Sequence, residues 1–451
     1  MRKHKFKLLA VFLCFALSIQ AQTDTLSLSR CIEIGLQNNL SLRRTGEDIR
    51  ISEIAKSENR SKLLPVIMAS AGFTDNVNRG TSLSDGANLG KVLGIDMPYM
   101  AGRGLQYTTT GGFQFSMPLY DQTIYTGINI ADRMVEISRC SYEKATEDLT
   151  MEIAKLYYLI QTTQEQITLT SSNIRMLEEL RDITTALHDN DMALQVDVQR
   201  VEINLENLRV QLDNANSMCE QQKNLLRYTL DVAPDFPFSV TRINSHDLLS
   251  ESRLLIGVSP DLKELQLLNM QSELLLKKKE SIKQSYLPTL SLVAGTSWTA
   301  YTDKFSNYFH THPTNHWYNA TFWGLQLKIP IFDGLARKHK ISTVNAEYTR
   351  SRIMIEDTEN QLRTQYGNAV NDWHNNVRNL KRSSDNYKLA EDVYVVTTIQ
   401  FKEGVSSMST LLQDEMRMTE AQNSYVTTLY NFLLSELKLL KLTNQLETLS
   451  K

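Results

Sequence analysis

The chain has 451 residues, 41% of them hydrophobic and 22% charged, with a formal net charge of -3 and only 18 glycines and 9 prolines. That length allows two or three ordinary domains, and so few glycines and prolines exclude a body built mainly of short strands and turns. A near-neutral charge gives no support to a nucleic-acid partner.

In chain order, residues 1–21 read as a secretory signal. Arg2, Lys3, Lys5 and Lys7 precede an apolar run from Leu8 to Ile19, and small Ala21 offers cleavage before Gln22. The run is short for a membrane span. Phe12-Leu13-Cys14-Phe15 lacks the small residue that a lipid-anchored signal places before its cysteine. Cleavage removes four basic residues and no acid, moving the charge from -3 to about -7. The remaining Cys31, Cys140 and Cys219 are odd in number and lack metal-ligand spacing, so they read as small buried apolar residues on helices.

A first repeat is placed at 22–230. Leu28 to Arg60 is helical, with Ile32, Leu36 and Leu40 on a polar frame. Pro65 to Phe73 is strand-like, Thr74 to Gln106 reads as a loop, and Gly111 to Pro118 alternates as a strand. Asp121 sits where an N-cap is wanted and opens a helix to about Leu187, which at about 1.5 Å per residue runs roughly 100 Å. After a break at Asn190-Asp191, the residues Leu194, Val198, Val201, Leu205, Leu208, Leu212, Ala215 and Cys219 step by four and three, a coiled-coil seam. Residues 231–261 hold three prolines and little periodicity, and read as an irregular linker.

The second repeat, 262–451, follows the same plan. Thr289 to Trp298 and Thr321 to Pro330 are strand-like, with 299–320 as a loop. Asp333 opens a helix to Lys402, Gly404 breaks it, and Met408 to Leu442 returns. Pro65, Pro118, Pro288 and Pro330 stand where helical text meets alternating text, because proline ends helices and lacks a donor. Pro118 and Pro330 lie 212 residues apart, and Asp191 and Gly404 lie 213 apart, so one plan is used twice. The fold class is mainly α with a small β part: long antiparallel helical coiled coils plus four strands per chain.

On the strands Phe113, Phe115 and Met117 oppose Gln114 and Ser116, while Leu325, Leu327 and Ile329 oppose Gln326 and Lys328. A lysine on one face suits a wet interior, and the other face suits an apolar exterior. Four strands cannot close a barrel, and an open sheet leaves unsatisfied edges in lipid. Closure therefore needs several chains, and two, three or four copies all reach the roughly eight strands of small membrane barrels. A secreted chain of this kind is placed in a bacterial outer membrane, its helices extending as a tube into the periplasm. Trp298, Tyr301, Trp317, Tyr318, Phe322 and Trp323, near strand ends, are read as interfacial girdles.

The segment Leu26 to Leu42, with Leu36-Gln37-Asn38-Asn39-Leu40, resembles the opening of TolC-like outer-membrane efflux proteins. Leu63-Leu64-Pro65 and Tyr286-Leu287-Pro288 look like that family's helix-to-strand entries. Met117-Pro118-Leu119-Tyr120-Asp121 and Ile329-Pro330-Ile331-Phe332-Asp333-Gly334 look like its exits. Phe401 to Ser407 resembles its turn at the periplasmic tip, and Met192 to Gln199 resembles the matching turn of the first half. The resemblance implies a homotrimer with a 12-stranded barrel in outer-membrane lipid and a helical periplasmic tunnel. It also implies a periplasmic adaptor and an inner-membrane RND or ABC transporter as partners, and no cofactor. Asn190, Asp191, Asp197, Gly404, Ser406 and Thr410 are the expected tip and adaptor contacts. The family's acidic ring, counted six and nine residues past Gly404, falls on uncharged Thr410 and Gln413. An acidic constriction is therefore not expected, and the family's basic latch would fall near Ser406, which cannot play that part.

The expected role is passive passage of small molecules through the outer membrane. Type I protein secretion is the alternative within the family, and a non-pore periplasmic scaffold is the rival outside it. No phosphate loop, GxSxG or HExxH supports an enzyme. His310, His312 and His316 form the one cluster with metal-ligand chemistry, read as ordinary loop residues.

Overall fold

The computed structural model describes residues 24–85, 87–96, 99–243, 257–259, 261–309 and 316–450. The signal segment, His310 and His312 lie outside them. The described strands are β1 (Asp24–Leu26), β2 (Val66–Asp75), β3 (Thr81–Asp85), β4 (Tyr99–Arg103), β5 (Tyr107–Tyr120), β6 (Phe238–Val240), β7 (Thr289–Thr302) and β8 (Trp317–Lys328). The described helices are α1 (Leu28–Asn38), α2 (Leu40–Ser61), α3 (Ala87–Leu93), α4 (Gln122–Asp189), α5 (Gln195–Leu230), α6 (Lys263–Gln284), α7 (Ala336–Lys402) and α8 (Met408–Leu442). They fall into two compact units, each drawing on both halves of the sequence.

In the unit of Arg50–Glu136 and Gln271–Arg350, four strands form one antiparallel sheet in the order β2-β5-β7-β8. The strands are longer than their alternating text. Tyr107 to Thr110, between the expected loop and the expected strand, pair with Thr299 to Thr302, which read as loop, Tyr107 opposite Thr302 and Thr109 opposite Ala300. Their β-branched and aromatic side chains suit a pleated surface, and cross-strand pairing decides the state that local polarity obscured. Within the stretch 74–106, also read as loop, β3 and β4 pair as a hairpin around α3. β5 carries a bulge between Pro118 and Tyr120, which lets a proline sit in an inner strand.

In the unit of Met1–Ile49, Ile137–Met270 and Ser351–Lys451, the long helices supply the core. One cluster joins Ile32, Ile153, Tyr157, Ile160, Leu226 and Leu230 to Phe238 and Val240. Here the expected linker contributes a strand, β6, pairing in parallel with β1. The Tyr157 hydroxyl lies 2.9 Å from the Leu26 carbonyl, to which it donates, and 2.6 Å from Thr241 Oγ1. A three-residue parallel pairing leaves no periodic signature, so the sequence read as irregular. A second cluster gathers Leu177, Leu180, Val201, Leu205, Leu208, Leu411 and Met418.

On α5 the seam is buried at Val198, Val201, Leu205, Leu208 and Cys219. Leu194 departs from it: this residue is the N-cap of α5, outside the helical turn, and is 70% exposed. Cys31, Cys140 and Cys219 are buried free thiols, and burial pushes the Cys31 thiol up to about 12.

Candidate functional site

Three features carry the chemistry of this chain: the sheet, the junctions at its helix side, and the two helical turns. Directly paired residues share a face of a sheet, so the register sorts the side chains. One face takes Ile67, Ala69, Phe73, Phe113, Phe115, Met117, Leu290, Leu292, Ala294, Trp298, Trp323, Leu325 and Leu327, and within it the hydrogen-bonded Thr296, Asn319 and Thr321. The other takes Ser70, Thr74, Gln114, Ser116, Ser291, Ser297, Gln326 and Lys328, with Val66, Met68 and Val293 among them. From Leu327 to Trp317 the first face covers about 33 Å of strand. At the tilt usual in membrane barrels that is about 25 Å, the height of an outer-membrane apolar band.

The expected aromatic girdle is only partly realised. Trp298, Trp317 and Trp323 lie on the apolar face, but Tyr301, Tyr318 and Phe322 lie on the other. A strand's period of two necessarily splits the adjacent pairs Trp317-Tyr318 and Phe322-Trp323. Phe322 covers Gly295, where an added Cβ would stand 2.7 Å from the ring. At the loop end Phe73, Tyr107, Phe305 and Tyr308 cluster, with ring centroids 5.7–6.3 Å apart. His316 is described and exposed just before β8.

At the junctions Pro65 and Pro288 directly precede β2 and β7, and Pro330 stands two residues past β8. Asp121 caps α4: its Oδ1 accepts from Thr123 N at 2.9 Å and from Thr123 Oγ1 at 2.6 Å. Asp333 acts from further away, because α7 starts at Ala336. Gly334 and Leu335 intervene in left-handed conformations, φ 65° and 67°, and Asp333 accepts from Arg337 N at 3.0 Å. The glycine permits the first of those conformations, while leucine adopts the second against its preference.

The two turns are built differently. Between α4 and α5, Asp191 has φ 60° and the Asn190 amide donates to Ala186 O at 2.8 Å. Asp197 pairs with Arg200 at 3.1 Å. Leu194 occupies the N-cap with no side-chain hydrogen bond. Between α7 and α8, Gly404 has φ 73°, and the backbone N–H groups of Val405 and Ser406 donate to Gln400 O at 2.8 and 3.2 Å. Ser407 caps α8 by accepting from Thr410 N at 3.2 Å. Thr410 and Gln413 are both exposed. Beside the turn region, a cavity of about 200 Å³ between α4 and α7 is lined by Met176, Leu180, Ile183, Val395 and Ile399. Lys402 and Glu179, 3.1 Å apart, stand at its edge.

Two carboxylates near this turn are buried: Asp414, which adjoins the counted Gln413 on another helical face, and Glu415, which the count from Gly404 missed. Asp414 is buried, its Oδ2 accepting from Thr397 Oγ1 at 2.8 Å and its Oδ1 pairing with Arg417 at 3.2 Å. Glu415 is buried too, accepting from Thr419 Oγ1 at 3.2 Å, and burial pushes its carboxyl above the ordinary range. Burial, then the nearby Glu415 charge, pushes Tyr394 up to about 12. The signal was present: Met408, Leu411, Glu415, Met418, Gln422 and Tyr425 step by three and four, so Glu415 and Gln422 lie on the seam. Gln422 accordingly meets Asn173, whose amide donates to it at 2.6 Å.

Some apolar seams face no partner among the described residues. On α5, Val196, Ile203 and Val210 recur every seven residues and are exposed, as are Met218 and Leu225. On α7, Leu389, Val393 and Val396 step by four and three and are exposed.

A family profile described as "Outer membrane efflux protein" matches residues 32–230 and 260–445. No curated protein matches the sequence. Among solved structures, the chain is similar to CusC, at 11% identity with a TM-score of 0.71, covering 93% of this chain and 92% of that one. It is similar to the outer membrane protein VceC of Vibrio cholerae at 13% identity, with a TM-score of 0.69 and coverages of 94% and 96%. It is also similar to the open-state MtrE outer membrane channel of Neisseria gonorrhoeae at 16% identity, with a TM-score of 0.66 and coverages of 92% and 88%. At these identities the likeness establishes the fold, that of channels in which a helical tunnel joins a β-barrel.

Proposed function

Since the chain belongs to the outer membrane efflux protein family, we propose that it is the outer-membrane exit duct of a tripartite export system. Three copies close a shared 12-stranded barrel, and the long helices line a periplasmic passage for small molecules such as drugs, metabolites or metals. The observation that carries this reading is the sheet: one mainly apolar face broken by Thr296, Asn319 and Thr321, one mainly polar face, and two outer strands, β2 and β8, each paired on one side only among the described residues. A sheet with that face in water exposes Phe113, Trp323 and Leu325 to the wrong solvent, and in lipid it needs its edges paired. Lipid satisfies the first demand and copies of the same chain satisfy the second.

The unpartnered seams on α5 and α7 are spaced for helix packing between neighbouring copies. The turns at Asn190-Asp191, Asp197, Gly404, Ser406 and Thr410 form the periplasmic tip in this reading, where an adaptor hairpin docks. The groove beside Lys402 and Glu179 is suited to receive it. Motion through the duct is passive, driven by an inner-membrane RND or ABC transporter.

The test is direct. The mature chain extracted from outer-membrane fractions is expected to run as a heat-modifiable trimer and to conduct in planar bilayers. Deleting its gene is expected to raise sensitivity to at least one drug, bile acid or metal. A water-soluble, non-conducting monomer would sink the duct, and unchanged sensitivity alongside a lost secreted protein would move the cargo to polypeptides.

A further inference from the structure

We infer that the helix-side rim of the sheet is a docking surface for anionic phospholipid headgroups, an inference that rests on the sheet being embedded in a membrane. The strand registers bring four junctions to one end of the sheet: Val66 lies opposite Ser116, Pro118 opposite Ser291, and Thr289 opposite Lys328. α2 and α6 end there, and α4 and α7 begin there. Lys56 pairs with Asp132, Thr126 hydrogen-bonds Gln284, and the Arg337 guanidinium stacks 4.7 Å above the Tyr286 ring, tying these helices together.

The rim is basic in a chain that is not. Segments 56–62, 118–125, 277–283 and 328–340 hold eleven Lys and Arg against four Asp and Glu, while the whole chain carries -3. Three of those acids are already engaged: Asp121 caps α4, Asp333 holds Arg337, and Glu280 pairs with Lys277. Lys62, Lys278, Lys283, Lys338 and Lys340 are exposed and make no ion pair among the described residues.

The order of side chains along this end is also informative. The apolar face finishes at the Leu290–Leu327 pair, and the segment after β8 holds out Ile331, 93% exposed, and Phe332, 80% exposed. Tyr286 and Leu287 stand exposed just before β7. Apolar band, then aromatic and aliphatic anchors, then unpaired lysines is the sequence of environments met on leaving a bilayer: hydrocarbon, interface, phosphate. A zwitterionic headgroup also carries a phosphate, but its amine cancels the charge. Clustered lysines without carboxylate partners select the anionic lipid.

The experiment uses the full chain reconstituted in vesicles of equal parts phosphatidylcholine and phosphatidylglycerol, then extracted in mild detergent. Co-extracted lipid is measured by mass spectrometry. The wild type is expected to retain phosphatidylglycerol several-fold above its bulk share. K62Q/K283Q/K338Q/K340Q is expected to fall near parity, whereas K155Q/K381Q/K388Q/K438Q, on exposed helix positions far in sequence from the strands, keeps the enrichment. Excess inorganic phosphate at constant ionic strength is expected to change nothing. Parity in inserted wild type, or undiminished enrichment in the rim variant, overturns this inference alone, as does displacement by free phosphate. Failure of the protein to enter vesicles overturns it together with the duct reading.

Discussion

The sheet and the helical core solve opposite problems with similar residues. In the helical unit, leucines such as Leu177, Leu205 and Leu411 vanish between α4, α5, α7 and α8. In the sheet, Phe113, Trp323 and Leu325 are just as apolar and remain exposed, Trp323 by 79%. Hydrophobicity alone therefore does not say which residues form a protein's own core. The helices carry their solvent-excluding partner in the same chain, while the sheet's apolar face and outer edges have none among the described residues.

The largest expected effect comes from putting the same charge on the two faces of one strand. Phe113 pairs with Ala69 and Thr296 in the middle of the apolar face, and its neighbour Gln114 lies on the polar face. F113R places a guanidinium where lipid is expected, at a cost of about 2–4 kcal/mol for each copy. It should abolish the heat-modifiable oligomer in membrane fractions. Q114R should leave assembly intact and alter conductance. Equal tolerance of both would erase the distinction between the faces.

Truncating the other region sharpens the contrast. Leu411 is 0% exposed in the core of the helical unit. L411A should destabilise that unit by about 2–5 kcal/mol, read as helical signal lost at lower denaturant. Truncating exposed Leu325 to alanine should leave the same helical transition where it is.

A smaller effect tests the polar residues within the helical seam. Burial raises the Glu415 carboxyl, so the folded chain binds that proton more tightly than the unfolded chain does. Ionisation therefore works against the fold. This penalty is full above the raised pKa, shrinks as pH falls through it, and is gone below the ordinary glutamate range. E415Q should stabilise the helices at neutral pH and match the wild type in acid, measured as denaturation midpoints across pH. Tyr394 and Glu179 face the same region, and Asp414 lies beside it on the same helix.

How much of this was legible depended on whether a signal was local. Pro65, Pro288 and the alternation at Phe113 to Met117 are local, and they located the strands. The seam from Val198 to Cys219 is a periodic signal and located a buried helix face. Tyr107 to Thr110, Thr299 to Thr302 and Phe238 to Val240 become strands only through partners distant in sequence. The site divides the same way. Asp121 reads as a cap because capping is a contact within a few residues. Asp333 does not, since two left-handed residues push the helix start to Ala336. Glu415 escaped notice because a ring was counted from Gly404 while the seam through Leu411 and Met418 was not followed.

The smallest effect concerns the two turns, where the comparison can be made at matched backbone geometry. Leu194 and Ser407 hold the N-cap positions of α5 and α8 with φ/ψ of -85°/145° and -85°/152°. Only Ser407 offers an acceptor to a first-turn N–H, so S407A should cost about 1 kcal/mol. L194S needs no change of backbone, adds the missing acceptor, and removes a large exposed apolar side chain. It should therefore stabilise α5 by about 0.5–1 kcal/mol, seen as slower amide exchange in that first turn. A residue that is worse for the helix than serine, and exposed besides, is accounted for if something outside the subunit covers it. If the turn docks an adaptor, L194S should strengthen the hairpin and weaken adaptor capture at once. A variant that gains stability and keeps full capture would show that Leu194 is not part of that contact.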